Sequence, residues 1–178
     1  KLRSSLPASK YPFASNWQGN GVTRWLSWLF EANGRFLSSD LKTAAINAAA
    51  GKSAVDFTKG FFSSKLVPPN SSVKATKYAA DDWYDSTVAM VFGGAFMLPD
   101  AKTTATFDWG ATFPPRNVRH GGDFGGNALV VTKNAKHVDG AVKFLDYLTG
   151  ADAMKSFCVA ASLLPTRKDL VAEGISFT

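Results

Sequence analysis

Five aspartates, Asp81, Asp82, Asp85, Asp108 and Asp123, are the first residues of this sequence to test for chemistry. Two carboxylates hydrolyse a glycosidic bond when they stand about 5 Å apart, or about 6.5–9.5 Å apart with a water between them. Nothing in the sequence shows that two of them converge on one bond. His120 and His137 have no Ser or Cys organised beside them as a nucleophile, and no His-Glu-x-x-His metal motif occurs. Cys158 is the single cysteine, so it forms neither an internal disulfide nor a cysteine metal cluster. It lies in the apolar run 157–161 and reads as a buried structural thiol rather than a nucleophile. Gly93-Gly94 and Gly125-Gly126 are not followed by Gly-Lys-Ser/Thr, so neither is a phosphate loop. Catalysis is therefore not expected, and no cofactor or metal is called for.

What remains is the chemistry of recognition. Aromatic residues make up 13% of the chain, with 14 Phe and 5 Trp, which is more ring surface than a core requires. Rings serve binding surfaces as well as cores. The net charge is +6, from 20 basic and 14 acidic residues. The basic residues are scattered singly, with no run of five, so the charge reads as a solubility feature and no nucleic-acid partner is expected. No stretch of 18 apolar residues occurs, so no segment has the length of a membrane-spanning helix. The chain opens Lys1-Leu2-Arg3-Ser4 without Met, which reads as the end of a helix inside a longer protein.

The elements that would position such a surface alternate between helix and short strand. Residues 1–6 read as a helix tail and 11–14 as a strand. A polar loop carrying Trp17 covers 16–21. Residues 22–32 form a helix whose apolar face holds Trp25, Trp28 and Leu29, stopped by Asn33-Gly34. Residues 35–37 are extended, and Ser39-Asp40 suits a cap for the next helix. Residues 43–65 read as a helix pair interrupted at Gly51, with Val55, Phe57, Phe61 and Phe62 near helical spacing, until Pro68-Pro69 end it. A short helix within 78–86, a strand over 88–92 and a helix beginning within 95–99 come next. Strands are predicted at 107–113 and 128–132, and helices at 139–148, 151–161 and 168–173. This order gives an α/β class, in which ligands sit beyond strand ends at loops rich in Gly and polar residues. Three segments qualify: 16–21, 93–96 and 121–127.

Four pieces of the sequence, in order and with similar gaps, resemble the carbohydrate-binding members of the extracellular solute-binding proteins, the receptors of ABC importers. The first is the aromatic loop followed by the Trp-rich helix and Asn33-Gly34-Arg35-Phe36-Leu37. The second is residues 57–66 running into Val67-Pro68-Pro69. The third is Val88-Ala89-Met90 leading to Gly93-Gly94-Ala95-Phe96. The fourth joins Gly125-Gly126-Asn127-Ala128-Leu129-Val130-Val131, Ala141-Val142-Lys143-Phe144-Leu145 and Leu163-Leu164-Pro165-Thr166-Arg167. The resemblance covers nearly the whole chain. It implies a periplasmic-binding-protein-like lobe of type II, a short mixed sheet flanked by helices. Residues 1–124 would form most of the second lobe, 125–164 would return to the first lobe, and 165–178 would cross back.

The resemblance further implies a non-catalytic receptor, extracellular, periplasmic or lipid-anchored to the outer face of the membrane. It would be a monomer that binds a mono- or oligosaccharide between two lobes and delivers it to a membrane ABC permease. Its candidate contacts are Trp17 and Gln18 in the first loop, Gly94 and Phe96 at the second turn, and Asp123, Gly125, Gly126 and Asn127 at the third. Family members often have Gly-x-Trp where this chain has Gly94-Ala95-Phe96, a change that keeps a stacking face and removes an indole N–H. Each candidate has a plain structural reading beside it. Trp17 suits packing as well as contact, Phe96 suits the start of a buried helix, and Asp123 suits a turn cap. Trp25 and Trp28 read as core, and Trp83 and Trp109 as core or rim. A lectin-like glycan-binding domain would use the same rings without a transporter, and a glycoside hydrolase would need a converging carboxylate pair.

Overall fold

The computed structural model describes residues 1–17, 21–69, 71, 78–122 and 125–176. The chain divides into two compact units. One holds residues 1–93 and 104–124, the other residues 94–103 and 125–178.

The first unit is built on a parallel strand pair. β1 (Tyr11–Ala14) pairs with β2 (Val88–Val91), in the register Tyr11↔Val88, Phe13↔Met90 and Ala14↔Val91. Hydrogen bonds from Tyr11 N to Thr87 O and from Phe92 N to Ala14 O extend the pairing at both ends. The other edge of β1 is bound at Phe13 N, which donates to Leu66 O at 3.1 Å. Parallel strands need a long crossover. Here it carries α2 (Gly21–Glu31), α3 (Ala49–Ser63) and α4 (Ala79–Tyr84), while α1 (Leu2–Ser5) precedes β1.

The core of this unit is aromatic. Trp28 and Leu29 of α2 and Ala54 of α3 are buried, with Phe13, Phe61 and Phe92 packed around them. Trp28 stands edge-on to Phe13 and Phe61, at centroid distances of 6.4 and 5.7 Å, and stacks on Phe92 at 5.4 Å. The buried stripe of α3 consists of small residues, Gly51, Ala54 and Thr58, at helical spacing. Thr58 donates its hydroxyl to Ala54 O at 3.0 Å, so it lies buried without losing a bond.

Sequence and structure differ on this helix. The expected pair is a single helix, and residues 44–48 are not helical. Gly51 lies inside its first turn instead of between two helices. A Cβ at Gly51 would stand 1.7 Å from Ile46 O, so the missing side chain lets the preceding turn fold over the helix start. Val55 and Phe57 are exposed, whereas Phe61 and Phe62 are half-buried. Asp40 caps no helix: its Oδ1 accepts from Lys42 N at 3.2 Å, closing a turn beside the antiparallel bridge of Leu37 and Ala44.

In the second unit a 3-10 turn (Ala95–Met97) leads into α5 (Leu98–Thr104). α6 (Val138–Leu148), α7 (Ala151–Ala161) and α8 (Lys168–Glu173) follow, and α6 packs on α7. Arg167 joins two of these helices. Its Nη1 donates to Thr149 O at the end of α6, and its Nε and Nη2 donate to Asp169 in α8. Lys155 and Glu173 form an ion pair between α7 and α8. Cys158 is buried on α7, and burial pushes its thiol up from the ordinary range. A buried, protonated thiol is inert. Of the apolar stripe expected on α6, Leu145 and Leu148 are half-buried and Val142 is exposed.

The expected strands at 107–113 and 128–132 do not form. A strand exists only through a ladder partner. Among the described residues the one sheet is the pair β1–β2. The α/β class holds with a smaller, parallel sheet in place of the mixed one, and residues 128–130 are exposed.

Candidate functional site

Because β1 and β2 run parallel, both carry their C-terminal ends to one edge of the first unit. Trp17 stands three residues beyond β1, and Phe92 and Gly93 directly follow β2. Trp17 stacks on Trp28 at 5.5 Å with 17° between planes, and Phe92 stacks on Trp28 at 5.4 Å with 28°. Trp17 also meets Phe62 at 5.3 Å. Three rings thus lie in sequence at the strand ends, with Trp28 shared. Packing claims one face of Trp17, the role left open beside ligand contact. Its indole N–H is buried and has no acceptor among the described residues. Whatever else Trp17 contacts, it offers ring surface rather than that donor.

α2 is tied to a loop at each of its two ends. Asn16 precedes Trp17, and its Oδ1 accepts from Ala79 N at 2.9 Å, at the start of α4. A Cβ at Gly21 would stand 2.7 Å from Asn16 O, so only glycine lets α2 begin that close to the loop. At the far end Asn33 turns left-handed (φ 60°) and Gly34 N donates to Leu29 O at 2.8 Å, the stop its sequence predicts. Glu31 O accepts from Val118 N and Arg119 N, and Arg119 Nε donates to Phe30 O at 2.8 Å. A Cβ at Gly121 would stand 2.6 Å from Glu31 N and 2.7 Å from Ser27 O. Residues 118–121 are therefore laid directly on α2, two residues before the Asp123 position.

The anchor contains a buried carboxyl. Glu31 is 5% exposed, its Oε1 has no hydrogen-bond partner among the described residues, and desolvation raises its pKa. An acid raised in the folded state is more readily protonated there than in the unfolded chain. Its ionisation therefore costs stability as pH rises above the unfolded value of about 4.3. Glu31→Gln is expected to stabilise the fold at pH 7.5 by about 1 kcal/mol, or roughly 2–4 °C in Tm, and to have no such effect near pH 4. Thermal unfolding of both proteins at the two pH values measures this. An equal effect at both would show that the buried charge is not the cause.

The remaining candidates fall outside the first unit or outside the described residues. Gln18 and Asp123 lie outside the described residues. Gly94 and Phe96 belong to the second unit, where they pack together: a Cβ at Gly94 would stand 2.7 Å from Phe96 Cε1. Phe96 lies on the 3-10 turn with 54% of its surface exposed, rather than starting a buried helix. Gly125, Gly126 and Asn127 are exposed, and a Cβ on either glycine would meet open space. Trp25 is half-buried and Trp28 buried, as read from the sequence. Sequence reasoning passed over Phe92 and Glu31. Phe92 sat unmarked at the end of an apolar run, and a buried Glu at a helix end carries no sequence signal.

Asp81 Oδ2 accepts from Tyr78 N at 2.8 Å and caps α4. Among the described residues no three His, Cys, Asp or Glu side chains gather as metal ligands, and no helix is long and apolar enough to cross a membrane.

A parallel α/β unit with its loops gathered at the strand ends, followed by a helical unit, defines a periplasmic-binding-protein-like fold. Solved structures of that class superpose on it. The GacH receptor of Streptomyces glaucescens, solved unliganded and with acarbose, aligns with a TM-score of 0.78 at 21% identity, over 93% of this chain and 43% of that one. An ABC transporter solute-binding protein from Thermotoga lettingae, bound to α-D-tagatose, gives 0.74 at 19%, over 93% and 44%. The maltotriose-binding protein of Thermus thermophilus gives 0.72 at 21%, over 96% and 47%. This chain spans less than half the length of each. No curated protein matches it in sequence. Residues 8–176 match the family of bacterial extracellular solute-binding proteins, and the chain belongs to that family. Its place is accordingly outside the cell membrane.

Proposed function

We propose that this chain is the greater part of one lobe of a non-catalytic receptor for a mono- or oligosaccharide, serving an ABC importer. Residues 1–124 form most of that lobe, 125–164 return to the other lobe, and 165–178 cross back. The ligand lies between the lobes and is held by hinge closure. The observation that carries this reading is the ring stack of Trp17, Trp28 and Phe92 at the shared C-terminal edge of β1 and β2. Sugar rings present flat C–H faces, which aromatic faces cover, while polar groups pair with the hydroxyls at the rim. Trp17 and Phe96 supply faces. Gln18, Asp123 and Asn127 supply polar groups, and Gly94, Gly125 and Gly126 let backbone come close. The receptor is a monomer, its partner is a membrane ABC permease, and it needs no cofactor.

The saccharides bound by the GacH, Thermotoga and Thermus proteins support a carbohydrate over a peptide. The test is thermal unfolding of the full-length receptor against a panel of saccharides, polyols and peptides. Binding to the folded state at a hundred times Kd adds about 2.7 kcal/mol and raises Tm. A rise with one saccharide is expected. A rise only with peptides or polyols would overturn the carbohydrate assignment and leave the family intact.

A further inference from the structure

The opposite edge of the first unit carries a second aromatic cleft. It opens at the N-terminal ends of β1 and β2, bounded by Lys10 immediately before β1 and by Ser86 and Val88 at the start of β2. Its volume is about 380 Å³, at the small end of the range of about 300–1,000 Å³ for small-molecule sites. Three rings form its wall. Trp83 of α4 is buried, and Phe107 and Trp109 stand perpendicular to it, at centroid distances of 5.1 and 5.9 Å and interplanar angles of 90° and 83°. Two rings set square against a third make a corner rather than a stack. Trp109 stays half-buried, so part of its surface is open.

The polar groups of the cleft narrow the choice of ligand. Lys10 and Asp108 are both exposed, and neither side chain has a hydrogen bond or ion pair among the described residues. An anionic ligand would meet the Asp108 carboxylate, and a cationic one would meet the Lys10 ammonium. A neutral ligand with hydroxyls around its rim and an apolar face uses both charges as well as the rings. Ser86 adds a hydroxyl and sits in the left-handed region (φ 57°), a strained conformation for a residue other than glycine.

We propose that this cleft is a second site for a neutral saccharide, separate from the loops at the C-terminal strand ends. One pyranose ring would set its C–H face against Trp109, with its hydroxyls shared between Lys10, Asp108 and Ser86. The site stands on residues of the first unit alone and needs no lobe closure.

The test uses the full chain and methyl α-glucopyranoside at about 10 mM. Saturation-transfer NMR reports contact, and titration gives the apparent Kd. Glucuronate and glucosamine serve as charged comparisons. The expected result is saturation transfer to the glucoside that weakens at least tenfold in Asp108→Asn and in Trp109→Ala, and persists in Trp17→Ala. The Asn variant keeps the shape of the side chain, so it reads the site even if Trp109→Ala disturbs the ring corner. Any of three results overturns the proposal: no transfer in the wild-type chain, wild-type affinity in Asp108→Asn, or loss of transfer in Trp17→Ala with wild-type stability. Glucuronate or glucosamine binding as tightly as the glucoside would overturn the assignment to a neutral ligand.

Discussion

Trp28→Ala is expected to remove about 3–5 kcal/mol of stability, the cost typical of truncating a buried Trp. Trp28 is 6% exposed and touches Phe13, Trp17, Phe61 and Phe92, so one ring joins β1, α2, α3 and the end of β2. Domains are stable by about 5–15 kcal/mol in total, so the variant should lose a large share of its folded population on mild heating. The corresponding fall in Tm is roughly 6–20 °C. Phe57→Ala is the comparison, because Phe57 is exposed on α3 and should cost far less. If the two variants unfolded at the same temperature, Trp28 would not be the centre of this core.

The second large effect concerns ligand binding by the full-length receptor. Trp17→Ala and Phe96→Ala are each expected to weaken saccharide binding at least tenfold, about 1.4 kcal/mol. Trp17 stacks on Trp28, so Trp17→Ala also disturbs packing. Trp17→Phe separates the two effects. It keeps a ring on Trp28 and loses only an indole N–H that is buried without a partner among the described residues. Binding by Trp17→Phe should therefore stay within about threefold of wild type, well inside the tenfold step of 1.4 kcal/mol. Calorimetric titration well below the Tm of every variant measures these values. Unchanged affinity in both alanine variants would move the site away from Trp17 and Phe96.

The helices were legible where a local signal marked them. Asn33-Gly34 stops α2 because a left-handed residue ends a helix whatever surrounds it, and α8 begins and ends where its sequence predicts. β1 and β2 were legible as short apolar runs bounded by turns. The failures share a physical cause. Residues 107–113 and 128–132 have the composition of strands, but a strand needs a partner backbone, and composition does not supply one. Gly51 read as a break because glycine disfavours a helix, whereas here it admits the close approach of Ile46 O.

The candidate site divides along the same line. The sequence by itself determined the residue types: rings and glycines in three loops, and the order of motifs that marks the family. Only the tertiary structure decided how the rings are used. Parallel pairing brought Trp17 and Phe92 to one edge, and the shared contact with Trp28 turned two rings distant in sequence into a stack. It also buried Glu31 beneath residues 118–121 and gathered Trp83, Phe107 and Trp109 at the other end of the strands. Local preference acts over a few residues, while these contacts close loops of up to about ninety. Only the packed chain meets the entropy cost of such closures.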